Sequence, residues 1–187
     1  AVAVVVGVIV AATVEVAAMG AAILVAGATG LVGRAVLAAL LTADTTPSGG
    51  HAAAPAAAAG TSPPHPTDSL GAAATIHVLH ARDRRPPALA HPRLQLHAVD
   101  FSDLPALPAV NDVYITLGTT IAAAGSQSAF RKVDYNAVMA TAQAARAAGA
   151  SRCGVVTAMG ANAHSRIFYN RVKGEVERDL KALGFAT

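Results

Sequence analysis

The sequence predicts an α/β domain in which a parallel sheet is covered by helices on both faces. Three observations predict it. Short apolar runs alternate with segments of helical periodicity, a glycine-rich turn joins one such run to the first helix, and two long helical stretches stop at glycine. The chain has 187 residues, enough for one domain with a sizeable single core. Apolar residues make up 53% and charged residues 13%, which excludes a disordered acidic chain and a coiled coil.

Residues 1–14 are apolar or small throughout, and Glu15 breaks the run. The run is shorter than the roughly 20 residues that span a bilayer, and no positive charge precedes it as in a secretory signal. Met19, just ahead of Ile23, Leu24, Val25 and Ala26, is a more ordinary place for a protein to begin. Residues 1–18 are therefore expected to be an apolar extension outside the domain, with an extra strand or a targeting remnant as the alternatives.

Residues 22–26 read as a buried strand. Residues 31–41 read as a helix, because Leu31, Val32, Ala35, Val36, Ala39 and Leu40 fall on one face. The stretch 42–74 is Ala, Pro, Gly, Ser, Thr and His with almost no large apolar residue, so it is expected to be a low-complexity insertion within a domain running 19–187. Segments 76–80, 94–99 and 112–117 read as strands, with a second, shorter loop at 83–93 around Pro86-Pro87 and His91-Pro92. Residues 130–148 form a long Ala-rich helix stopped by Gly149, 153–157 a strand, and 166–183 a helix ending at Gly184.

Charge and composition exclude several functions. Lys plus Arg is 14 against 11 Asp plus Glu, an excess too thin and too spread out for nucleic acid, and the chain lacks Trp for base stacking. Arg146, Arg152, Arg166, Arg171, Lys173 and Arg178 read as a solvated helix-and-loop set. The single cysteine, Cys153, rules out an internal disulfide framework and a Cys-based zinc site; it reads as a small core residue and suits a reducing compartment, so a cytoplasmic setting is expected. The histidines show no H-E-x-x-H spacing, and His77 and His80 lie three apart on a strand and so face opposite sides, so no metal is expected.

The first strand–helix junction reads Gly27-Ala28-Thr29-Gly30-Leu31-Val32-Gly33. Glycines at these positions allow a tight turn, close backbone approach to a pyrophosphate and close helix-on-strand packing. The N–H groups at the start of the following helix would face the phosphates. A second signal is Tyr169-Asn170-Arg171-Val172-Lys173. On a helix, residues i and i+4 share a face, so phenol and ammonium become neighbours. A phenol is a poor acid–base group at neutral pH, a nearby cation favours its phenolate, and the pair suits proton transfer at a carbonyl or alcohol oxygen.

These residues, together with Leu117-Gly118-Thr119-Thr120 and the run from Phe168 through Glu175, Val176 and Glu177, resemble the atypical short-chain dehydrogenase/reductases. The branch most similar contains the human TIP30/CC3 oxidoreductase and its bacterial relatives. The likeness runs from about Met19 to the end of the chain, broken by the insertion. It implies a Rossmann domain, a three-layer αβα sandwich with a doubly wound parallel sheet, that binds NAD(P). It places Gly27, Ala28, Thr29, Gly30, Leu31, Val32 and Gly33 on the pyrophosphate, Asp100 and Phe101 at the adenine, and Leu117, Gly118, Thr119 and Thr120 along a ribose. Tyr169 and Lys173 match the catalytic pair, with Lys173 also on the nicotinamide ribose. Where the family has a Ser-Ser pair, this chain has Thr157-Ala158, so Thr157 alone offers a hydroxyl to orient a substrate; it could equally cap a strand end. A Rossmann sheet has six strands in order 3-2-1-4-5-6. The reading above leaves the sixth strand and the substrate lobe missing after 183–187.

Three readings of function remain: an NAD(P)-dependent oxidoreductase transferring hydride between nicotinamide and a carbonyl or alcohol, a cofactor-binding regulatory or interaction module without turnover, and a partly folded fragment. The partners expected are a small carbonyl or alcohol compound and no nucleic acid or membrane, with a homodimer allowed. Cofactor choice turns on Arg82, which follows the strand 76–80 where the resembled family carries an arginine for the 2′-phosphate, with Arg84 or Arg85 as further contacts. NADP(H) is therefore expected over NAD(H). Asp83 could serve a ribose 2′-OH but is expected instead to pair with the arginines around it.

Overall fold

A computed structural model describes residues 2–5, 22–42, 74–84 and 90–185. The expected low-complexity insertion therefore lies almost wholly outside the described residues, as do Arg85 and most of the segment 1–18. In chain order the elements are β1 (Val2–Val5), β2 (Ala22–Ala26), α1 (Leu31–Thr42), β3 (Thr75–Ala81), β4 (Leu94–Val99), β5 (Asp112–Ile115), α2 (Ile121–Ala124), α3 (Gln127–Arg131), a π-helical turn (Lys132–Ala137), α4 (Val138–Ala147), β6 (Arg152–Val156) and α5 (Phe168–Ala182).

The strands form one six-stranded sheet in the order β1-β6-β5-β2-β3-β4, every pairing parallel. The five strands read from the sequence are all present and form the Rossmann order around β2. The position of the sixth strand, which the sequence reading leaves empty, is taken from the other end of the chain. Val2–Val5 pairs with β6 in the register Val2↔Cys153 to Val5↔Val156. Of the alternatives for the N-terminal run, the extra strand is the one that these residues adopt, as suits a run of β-branched valines.

Strands buried on both faces explain the apolar runs. In β2, Ile23, Leu24, Val25 and Ala26 are all fully buried. Leu24 and Ala26 point into the core under α4 and α5, with Val113, Ile115, Val155, Val176 and Leu180. Ile23 and Val25 point the other way, with Leu37 and Leu40 of α1. Each large aliphatic side chain so buried contributes about 1.5–3 kcal/mol relative to exposure. The crossover from β4 to β5 carries no described helix; Phe101, Leu104 and Leu107 cover that part of the sheet instead.

The helix read at 130–148 differs in detail. It is preceded by α2 and α3, capped by the hydroxyls of Thr120 and Ser126, which accept from Ala123 N (3.0 Å) and Ala129 N (3.1 Å). Its first half contains the π turn, invisible in periodicity because the buried positions Phe130, Asp134, Ala137 and Val138 are spaced as on one face of an α-helix. Its end is as read: Gly149 has φ +101°, and its N–H donates to the Arg146 carbonyl. At the amino ends of the strands, Arg152 holds Asp112 by two hydrogen bonds, and Asn111 accepts from Ala22 N at 2.9 Å.

His77 and His97, on adjacent strands, put Nδ1 and Nε2 3.0 Å apart, one donating to the other. Burial first, then the charge of a neighbouring histidine, lowers both below the usual imidazole value. The folded state therefore binds fewer protons than the unfolded chain below about pH 6.5, so this contribution to stability is present above that pH and lost as pH falls through the lowered values. The urea midpoint should fall between pH 7 and pH 5, and His97→Gln should flatten that fall; a midpoint curve of equal slope in the variant would contradict the assignment.

Candidate functional site

Because every strand runs the same way, the segments carrying the predicted residues leave one edge of the sheet. Thr157 follows β6, residues 117–120 lie beyond β5, the glycine turn follows β2, Arg82 follows β3 and Asp100 follows β4. From β2 the chain goes to β3 on one side, and from β5 to β6 on the other. Between these two neighbours lies the switch point at which open α/β sheets form their ligand crevice.

The turn is shaped by contacts that exclude side chains. Gly27 has φ +91°, and a Cβ there would lie 2.6 Å from the carbonyl carbon of Thr116 and 2.7 Å from Leu117 N. Thr116 in turn donates from both N (2.8 Å) and Oγ1 (2.9 Å) to the Ala26 carbonyl. A Cβ on Gly33 would collide with the Gly27 carbonyl oxygen and lie 2.7 Å from Ala28 Cα, so α1 rests directly on the turn. Gly30 is different: its Cβ would meet only the Gly27 oxygen, at 3.5 Å. Protein packing does not require glycine there, whereas close approach by a ligand would. The first helical bond is Arg34 N to Gly30 O at 3.0 Å, which leaves the amides of Leu31, Val32 and Gly33 without intrahelical acceptors. Ala28 is buried, and the Thr29 carbonyl accepts from Arg34 Nε at 3.1 Å. An open-sided glycine before a helix amino end fits a pyrophosphate.

The loop beyond β5 meets α5. A Cβ on Gly118 would stand 3.7 Å from Lys173 Nζ and 3.3 Å from Asp134 Oδ1. Thr119 N donates to Asp134 Oδ2 at 2.8 Å, while the Thr120 hydroxyl is occupied as the cap of α2. Lys173 is 5% exposed, and its Nζ lies 2.7 Å from Asp134 Oδ1. Asp134 was not among the expected site residues. Its signal in the sequence is a lone carboxylate four residues from Phe130 and four from Val138 on an apolar helix face.

Tyr169 is half-buried one turn before Lys173, its ring 5.5 Å from that of Phe130. Its hydroxyl has no hydrogen-bond partner among the described residues. Thr157 is buried, and its hydroxyl donates to Glu177 Oε1 of α5 at 2.6 Å. Arg82 is exposed in the turn closed by Arg84 N to Ala81 O. Asp100 accepts from Ser102 Oγ (2.6 Å) and Ser102 N (2.8 Å), bonds that hold its carboxyl below the usual range, with the Arg82 charge adding to them. Asp83 pairs with no charged group among the described residues; Asp100 is the carboxylate that feels Arg82. Phe101 packs half-buried on the core rather than standing free.

Strand order, an all-parallel sheet with helices on both faces and a glycine turn at the switch point define a Rossmann-like α/β domain. The fold is similar to that of a structure described as MoeE5 in complex with UDP-glucose and NAD, at TM-score 0.59, 14% identity and 87% of this chain against 48% of that one. It is likewise similar to a UDP-glucose 4-epimerase of Thermotoga maritima solved with UDP-glucose, at TM-score 0.56 and 10% identity, over 86% of this chain and 50% of that one. No family model matches. Among curated proteins, the chain is similar to Protein FMP52, mitochondrial, of Candida albicans, 38% identical over 54% of this chain and 48% of that protein. The protein of the same name in Eremothecium gossypii is 44% identical over 43% of this chain and 36% of that protein. The chain thus spans about half or less of the length of the curated relatives it matches. These relatives are named mitochondrial, which overturns the cytoplasmic setting expected from cysteine usage: a lone buried thiol is compatible with either compartment.

The steric reading of the turn is directly testable. Gly33→Ala should destabilise the domain by about 1–3 kcal/mol, because α1 must move off the Gly27 carbonyl. Gly30→Ala should cost far less, and equal losses in chemical denaturation would contradict the distinction.

Proposed function

We propose that this chain is the dinucleotide-binding domain of an NAD(P)-dependent oxidoreductase of atypical short-chain dehydrogenase/reductase type, acting on a small carbonyl or alcohol compound in a mitochondrial setting. The observation that carries the reading is convergence. Gly27 abuts Thr116 and Leu117, and Gly118, next along the same loop, abuts Lys173, so three segments picked out separately in the sequence form one continuous wall. The fold neighbour solved with NAD supports a dinucleotide as the ligand, and the relatives' names support only the mitochondrial setting.

When bound, the nicotinamide supplies the site that gives or accepts hydride. The chain does the rest. The amides at the start of α1 and the Gly27–Gly33 turn hold the pyrophosphate, with the positive end of the helix dipole behind them. Lys173 and the loop 117–120 line the adjoining ribose, and Asp100 and Phe101 border the adenine. The Tyr169 phenol, without a hydrogen-bond partner among the described residues, gives or takes the proton at the substrate oxygen. Arg82 receives a 2′-phosphate through charge-assisted hydrogen bonds, which favours NADP(H) over NAD(H).

One observation favours a second reading. The only hydroxyl in the place of the family's serine pair, that of Thr157, is donated to Glu177. Held there, it does not orient a substrate, which suits a dinucleotide-binding regulatory module without turnover.

Two measurements separate these readings. Tyr169→Phe should lower reductase activity by about 10²–10⁴-fold while leaving dinucleotide affinity unchanged. Absence of activity in the parent chain across a carbonyl panel, with dinucleotide still bound, would favour the module. Arg82→Ala should weaken NADPH by about tenfold and leave NADH almost untouched, the worth of a lost charge-assisted hydrogen bond. Equal dissociation constants for the two cofactors in the parent would overturn the preference.

A further inference from the structure

We propose that Met159 and Ile167 are specificity-determining residues of this site, and that its substrate is an uncharged carbonyl compound, or the matching alcohol, carrying an apolar chain. The proposal rests on the oxidoreductase reading above and deepens it by naming the substrate class.

The first ground is where apolar residues meet water. Among the described residues only three large apolar ones are exposed: Leu31 at 81%, Met159 at 79% and Ile167 at 63%. Single exposed apolar residues scattered over a surface are ordinary, but these three are not scattered. All lie at the edge where the strands end: Leu31 opens α1 after β2, and Met159 and Ile167 stand near either end of the connection from β6 to α5. Leu31 belongs to the dinucleotide turn. Met159 is two residues past Thr157 and Ile167 two before Tyr169, so this pair flanks the phenol that would meet substrate.

The second ground is how firmly the connection is held. A Cβ on Gly174 would collide with Ala163 N and the Asn162 carbonyl carbon, so the connection lies directly on α5. Asn162 N donates to the Asn170 carbonyl at 3.0 Å, Arg171 Nη1 to the Ser165 carbonyl at 3.0 Å and Ile167 N to Ser165 Oγ at 3.1 Å. Gly160, with φ +76°, carries the chain from Met159 to α5: a Cβ there would stand 3.4 Å from the side-chain nitrogen of Asn170, the residue after Tyr169. Polar bonds and close packing fix this backbone, and neither Met159 nor Ile167 belongs to the packed core. A loop held in place with its two large apolar side chains left in water offers their burial to a ligand.

The third ground is charge. From Ala158 to Gly174 the chain has no Asp or Glu. Of the cations there, Lys173 pairs with Asp134, and Arg171 is bonded to the Ser165 carbonyl with its guanidinium 5.6 Å from the Phe168 ring centroid. A polyol, which donates several hydroxyls, meets no carboxylate in this segment, whereas an alkyl chain meets two apolar side chains. Methionine, unbranched and flexible, adapts to such a chain.

The test separates binding from turnover. Butanamide, hexanamide and octanamide present a carbonyl that the dinucleotide does not reduce. The matching aldehydes present one that it does, the carbonyl carbon taking the hydride and the oxygen the Tyr169 proton. Dissociation constants for the amides are measured by calorimetry with NADPH present, and kcat/KM for the aldehydes, in the parent, Met159→Gln and Ile167→Gln. Both positions are exposed, so melting temperature and NADPH affinity should stay at parental values. In the parent, amide affinity and aldehyde kcat/KM should each rise about threefold per methylene, near the worth of a buried CH2. Either variant should weaken octanamide about tenfold and butanamide by about twofold or less. A flat amide series in the parent would overturn the proposal, as would a rising series that both variants leave unchanged. So would tighter binding of glyceraldehyde than of propanal, or a parental dimer that comes apart in the double variant with no chain-length dependence, which assigns the pair to a second copy. A rising amide series with no aldehyde reduced defeats the oxidoreductase reading and leaves the apolar site standing. Aldehydes reduced equally well whatever their length defeat the apolar site alone.

Discussion

The strand edge depends on how closely the turn after β2 lies against the exit of β5. Gly27 faces the Thr116–Leu117 peptide with no room for a Cβ, and Thr116 returns two hydrogen bonds to Ala26. That contact sets where α1 begins, because Gly33 rests on the Gly27 carbonyl. It also sets where the loop 117–120 begins, and hence where Gly118 and Thr119 meet α5. A side chain at Gly27 would part β2 from β5 at the very point where the sheet reverses its winding, and the crevice would lose both walls together. Sheet hydrogen bonds alone do not impose this: they fix the register of β2 on β5, but leave open how the two chains diverge after the last pair.

Burial of charge adds a second constraint. The core beneath α4 and α5 is almost wholly aliphatic, yet Asp134 and Lys173 lie inside its margin. In such surroundings each charge needs the other, so neither the π turn nor α5 can shift without exposing or separating them. Polar bonds at three further points hold α5 in the same place: Glu175 to Arg131, Asp179 to Tyr135 and Glu177 to Thr157. The helix bearing Tyr169 is thus anchored along its length by acidic residues, while its apolar stripe of Val172, Val176 and Leu180 supplies the burial.

Much of this was legible because its causes are local. Apolar runs without alternation mark strands covered on both faces, and they identified β2 through β6 within a few residues. Gly149 and Gly184 marked helix ends because a left-handed residue suits glycine, and both have positive φ. The glycine turn was readable for the same reason. The illegible parts depend on contacts distant in sequence. Asp134 meets Lys173 and Thr119 only once the sheet has formed. The bond from Thr157 to Glu177 joins residues that the motif reading treated separately. Val2–Val5 was ambiguous since a run of valines fits an edge strand as well as an extension, and only an open edge on β6 decides between them.

The distribution of committed and uncommitted groups along this edge bears on chemistry more than the presence of the motif does. A residue that moves a proton needs a hydrogen-bonding position left vacant for substrate, whereas one that holds a cofactor gains from being fixed. Thr157 and Lys173 are fixed, by Glu177 and Asp134. The Tyr169 hydroxyl has no partner among the described residues, and its ring lies 5.5 Å from that of Phe130. The Thr157 hydroxyl, donated to Glu177, is therefore committed within the protein, as suits a positioning role more than a reacting one. On the proposed reading, turnover rests on the phenol, positioned by α5, and affinity on the turn, the loop and Lys173, whose Nζ Asp134 holds at 2.7 Å.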